Sequence, residues 1–167
     1  MKRIAKSMLA LVLVAILLCA PALAESATYA NAQAFVRELD ANGLTDYTLM
    51  GIDSDGDDGV MLDYSGDYWD YTIRYYFNAE NDQVLIRIWN LMEFDDSEMS
   101  AAKNAANDAN YDYKIARFYV DDTDNTLTCS YDLITREGAS VGECLLDATG
   151  YLINIIDAAH THFAAFE

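Results

Sequence analysis

The sequence predicts an α+β domain: an antiparallel β-sheet with helices packed on one face, in the order α-β-β-β-β-α-β-β-α. Three observations carry this. Runs rich in β-branched and aromatic residues alternate apolar with polar side chains. Short clusters of Asp, Asn, Gly and Ser separate these runs, and short turns make neighbouring strands antiparallel. Near both ends and once in the middle, the period of the apolar residues changes to that of a helix.

The elements follow in order. Thr28 can cap a helix from Tyr29 to about Ala41, with Phe35, Val36 and Leu39 as its apolar stripe and Gly43 as its stop. Four strands are expected at residues 47–52, 60–64, 69–77 and 83–91, separated by DSDGDDG, SGD and NAEND. Ser97 opens an alanine-rich helix to about Ala109. Two strands, at residues 114–120 and 126–135, are joined by DDTDN. Ser140-Val141-Gly142-Glu143 reads as a capping box, starting a helix to about Phe166. Val141, Leu145, Ala148, Leu152, Ile155, Ile156, Ala159 and Phe163 are its expected buried stripe.

The N-terminus reads as an export signal. Lys2, Arg3 and Lys6 precede an apolar run, Met8 to Ala20, too short to span a bilayer as a stable anchor. Pro21 breaks it, and Ala22-Leu23-Ala24 offers small residues for cleavage after Ala24. Residues 1–24 are thus expected to be a signal peptide and residues 25–167 a single domain, secreted or placed in the periplasm or at the cell surface. No stable membrane insertion is expected once the signal is cleaved. Cleavage removes three basic residues and no acid, so a formal charge of −18 becomes −21. Such a charge argues against nucleic acid and anionic lipid surfaces as partners.

DSDGDDG, residues 53–59, resembles a calcium loop in composition. The spacing does not follow an EF-hand: the sixth position from Asp53 is Asp58 rather than Gly, the twelfth is Tyr64 rather than Glu, and strands flank it. Gly56 and Gly59 suit a hairpin turn. The alternative is a calcium-binding secreted domain using Asp53, Asp55 and Asp57. His160 and His162, two apart near the end of the last helix, point in different directions and cannot share a metal there. Glu143 and Asp147 complement the positive end of the same helix. No set of nucleophile and base stands out, so no enzyme and no cofactor are expected.

One pattern points to binding. Alternation places Trp69, Tyr71, Ile73, Tyr75 and Phe77 on the covered face of the third strand, and Arg74 and Tyr76 on the open face. The fourth strand adds Arg87 and Trp89 to the open face, and the fifth adds Arg117 and Tyr119. Arginine and aromatic residues dominate binding hot spots, so these six are the candidate partner-binding residues. The competing reading has the arginines stapling the sheet through Asp63, Asp70 or Asp132. Cys129 and Cys144 are either a disulfide, as export favours, or two buried thiols.

The stretch AAKNAANDANYDYKIARFYVDDTDNTLTCSYDLIT resembles the YbjN family of bacterial sensory-transduction regulators. The match is an N-x-x-N pair, Asn104 and Asn107, then a strand, an acidic turn and a second strand. The resemblance extends over roughly residues 30–165. It implies a fold like that of type III secretion chaperones, and a non-enzymatic, protein-binding module, often a homodimer, without a cofactor. Locally, either asparagine can hydrogen-bond the turn that carries the helix into the next strand.

Overall fold

A computed structural model describes residues 26–136 and 139–167; the expected signal peptide lies outside the described residues. The expected element order is the observed one. Helix α1 (Ala30–Ala41) precedes strands β1 (Tyr47–Ile52), β2 (Asp58–Ser65), β3 (Asp70–Phe77) and β4 (Gln83–Ile88). Helix α2 (Met99–Asp112), strands β5 (Arg117–Asp121) and β6 (Thr126–Ile134), helix α3 (Val141–Phe163) and a 3-10 turn (Ala164–Phe166) follow. All strand pairs are antiparallel, in the order β1-β2-β3-β4-β6-β5. Among the described residues, no helix is long and apolar enough to cross a membrane.

Alternation fixes the two faces. Tyr71, Ile73, Tyr75 and Phe77 of β3 are buried, as are Val84, Ile86 and Ile88 of β4, while the residues between them are partly open. Because paired residues share a face, Val60, Tyr75, Ile86 and Tyr131 form one covered row, and Ile88, Cys129 and Phe118 continue the same face. Helices α1 and α3 pack on each other and on this face, and α2 packs on β5 and α3. Phe35 of α1 lies 4.5 Å from the Tyr75 ring and 6.1 Å from that of Phe77. Phe163 of α3 meets Phe118 at 6.1 Å and Trp69 at 6.2 Å. The Tyr75 hydroxyl is 2.6 Å from Thr149 Oγ1, and Thr149 donates in turn to the Leu145 carbonyl at 2.6 Å. Burial pushes the Tyr75 phenol well above its ordinary pKa, so the hydroxyl stays neutral.

Both expected serine or threonine caps are replaced. Thr28 does not cap α1 with its hydroxyl; the buried carboxylate of Asp58 does the work from β2. Asp58 Oδ2 accepts the Thr28 N–H at 2.5 Å and the Tyr29 N–H at 2.8 Å. Asn81 Oδ1, in the β3–β4 turn, accepts the first-turn Asn31 N–H at 3.0 Å. A carboxylate at the positive end of a helix is a stronger acceptor than a hydroxyl. At α3 the expected capping box is not formed. Ser140 has φ −77° and ψ 70°, outside the extended region a capping serine uses, and its side chain makes no cap bond. The Val141 N–H goes instead to the Ala139 carbonyl at 2.9 Å.

Element ends move for local reasons. β4 stops at Ile88, not residue 91, because Asn90 takes φ 58° and breaks the ladder. The chain rejoins β6 through Leu91 N–H to the Leu127 carbonyl at 2.9 Å. α2 begins two residues later than expected. The Glu98 side chain accepts the Asp95 N–H at 3.0 Å, and Glu98 donates its own N–H to the Asp95 carbonyl at 2.8 Å, making a turn of residues 95–98.

Gly142 allows a close approach of α1 and α3: a Cβ there would meet the Ala34 carbonyl oxygen at 2.5 Å. Gly142→Ala should therefore destabilise the protein by about 1–3 kcal/mol in urea unfolding, although alanine is the better helix former. Asp58→Ala should cost about 1–3 kcal/mol and speed amide exchange in the first turn of α1. Wild-type midpoints would contradict these two readings.

Candidate partner-binding face

The six candidate residues all lie on the face opposite the helices, and register aligns half of them. Arg74 pairs with Arg87, Arg87 with Ser130, and Ser130 with Arg117, so three arginines and a serine form one row across β3, β4, β6 and β5. Tyr76 and Asp132 lie in the neighbouring row, both paired with Leu85. Trp89, just past β4, stays on this face and is 38% exposed.

Two clusters divide the face. In the first, the Arg74 guanidinium lies over the Trp89 ring at 5.1 Å from its centroid, a cation–π contact. Tyr76 packs against the same ring at 6.0 Å. Burial chiefly pushes the Tyr76 phenol up; Arg74 and Arg87 pull it down, and Asp53 and Asp57 raise it. In the second, Arg87, Ile115, Arg117, Tyr119, Ser130 and Asp132 line a shallow depression of about 530 Å³. Arg87 Nη1 donates to Asp132 Oδ1 at 2.5 Å and to the Ile86 carbonyl at 2.8 Å. The stapling reading thus holds for one arginine of three. Asp63 instead accepts a hydrogen bond from Thr72 Oγ1 at 2.6 Å. Among the described residues, Arg74 and Arg117 form no ion pair.

The acidic loop closes the β1–β2 hairpin. Asp53 Oδ1 accepts the N–H groups of Asp55 at 2.9 Å and Asp57 at 3.0 Å, and Gly56 takes φ 89°. Burial, Asp53, Asp55 and Glu80 together raise the Asp57 carboxyl above its ordinary range. Among the described residues no three acidic, histidine or cysteine side chains gather as a metal site requires, and this includes Asp53, Asp55 and Asp57. His160 lies 2.7 Å from Glu167 and stacks on Tyr68 at 3.9 Å, while His162 lies 3.2 Å from Asp112. The histidines thus hold separate partners.

Two expectations need correction. Cys129 and Cys144 are both free. Cys129 is buried under the helices, where burial pushes its thiol far up, but Cys144 is exposed on α3. In the helical phase set by Val141 and Leu145, Cys144 turns off the buried stripe. Asn104 and Asn107 are exposed on α2 and make no hydrogen bond among those of the described residues. The asparagine that ties the helix to the next strand is Asn110. Its Nδ2 donates to the Phe118 carbonyl and its Oδ1 accepts the Phe118 N–H, both at 2.7 Å. These are the two bonds a further strand would make, so Asn110 closes the β5 border of the sheet. The signal was present: Asn107 and Asn110 repeat the N-x-x-N spacing one turn later.

The fold is a one-sided α+β layer: among the described residues, no helix packs over its basic and aromatic surface. The chain belongs to the YbjN family, described as "Putative bacterial sensory transduction regulator", which matches residues 32–167. No curated protein and no solved structure matches the chain.

Asn110→Ala should cost about 1–3 kcal/mol in urea and raise amide exchange at Phe118, while Asn104→Ala and Asn107→Ala should change stability by less than about 0.5 kcal/mol. Equal costs at the three positions would refute this assignment.

Proposed function

We propose that the protein is an exported, non-enzymatic regulatory module that acts by binding a protein partner on the open face of its sheet. The observation that carries the reading is the row of Arg74, Arg87 and Arg117 beside the Arg74–Trp89–Tyr76 cluster. Arginine on tryptophan is held in place by the ring, so it loses little side-chain freedom when a partner arrives. Trp89 offers exposed apolar area beside it. Family membership supports a regulatory role, and the basic, apolar, small-residue order of the first 24 residues supports export.

Affinity capture from the extracellular fraction of the native bacterium tests both halves. The recovered chain should begin at Glu25 by intact mass. Trp89→Ala should weaken the captured complex by about 30-fold or more, with an unchanged circular dichroism spectrum. Undiminished capture by the variant would discard the face as the binding site.

A further inference from the structure

We infer that the occupant of this face is an extended acidic segment of the partner, carrying two carboxylates four residues apart that engage Arg74 and Arg117. The inference rests on the partner-binding reading above and deepens it.

Arg74 and Arg87 are register partners, and like charges directly opposite each other on one face repel. The chain has 28 acidic residues against 10 basic ones, yet among the described residues only Asp132 is spent on this row, on Arg87. Asp63, the acid of β2 on this face, is turned to Thr72. Among the described residues, the row therefore keeps two guanidinium groups without a carboxylate, in a molecule that is otherwise strongly negative. Their planar forks suit carboxylates. The surrounding negative charge repels long polyanions such as nucleic acid or an anionic bilayer, which would have to cover more than the row. A short acidic peptide segment meets only the row.

The spacing sets the pattern. Arg74 on β3 and Arg117 on β5 are three strand spacings apart in the order β3-β4-β6-β5, which is about 14 Å. An extended chain crossing the strands advances about 3.4 Å per residue, and its side chains return to the same side every second residue. Carboxylates at positions i and i+4 are then about 14 Å apart and face the sheet together. The side chain at i+2 falls over Arg87 and Ser130, where Asp132 already supplies the charge.

Fluorescence anisotropy with the full chain and labelled Gly/Ser peptides tests this at low salt. A peptide with glutamates at i and i+4 should bind at least tenfold more tightly than its double-glutamine version or one with glutamates at i and i+1. Arg74→Gln and Arg117→Gln should each weaken it about fivefold. Arg117→Glu should instead prefer a peptide with lysine at i+4, a gain that misfolding cannot produce. Equal binding of all peptides, no binding of any, or tighter binding to phosphatidylglycerol vesicles would overturn the acidic-segment inference. If Trp89→Ala still abolishes capture in those cases, the partner-binding face itself stands. If Trp89→Ala captures normally, both fall.

Discussion

The contact on which the structure depends is the one between Phe35, Tyr75 and Thr149, where α1, the centre of the sheet and α3 meet. Phe35 and Tyr75 are fully buried and their rings are 4.5 Å apart, while the Tyr75 hydroxyl reaches Thr149. Aromatic side chains contribute the largest buried areas of a core, and burying a tyrosine costs least where its hydroxyl finds a partner. Thr149 is that partner, so the position of α3 and the identity of the covered face are linked. A slip of β3 by one residue would turn Tyr75 outward and Arg74 and Tyr76 into the core. The open face exists because the covered one is fixed.

Much of this was legible in the sequence. The period of two in residues 70–77, 83–88 and 117–121 reports burial on one side only, and it correctly assigned Arg74, Tyr76, Arg87, Arg117 and Tyr119 to a common surface. What the pattern could not report was partnership between distant residues. Asp58 reaches α1 from a strand, and Asn81 from a turn, so neither acceptor lies within the window that a capping motif spans. Asn90 looked like strand continuation because its left-handed backbone is invisible to hydropathy. Both readings of Cys129 and Cys144, a disulfide or two buried thiols, needed Cys144 on the buried side, but helical phase puts it one step off the stripe.

The charge distribution also follows from the architecture. Acids gather in the hairpin loops, where they accept the amides of their own turns, as Asp53, Asp121 and Asp124 do. Such carboxylates are partly occupied by the backbone. Arg74 and Arg87 lie within β3 and β4 and Arg117 opens β5, where neighbouring strands are about 4.8 Å apart. Family membership begins at residue 32, inside α1, and runs to residue 167, so the family and the folded unit nearly coincide.

The two borders of the sheet are unequal. On β5 the backbone of Phe118 is occupied by Asn110, and α2 packs alongside. On the far side, β1 has β2 as one neighbour and, among the described residues, no strand as the other, with a bulge where Gly51 takes φ 70°. Among the described residues, β1 is therefore the margin more open to strand addition. In the language of polymer chemistry the described sheet has one functional end: two copies joined there would use up both ends, leaving none from which a filament could grow.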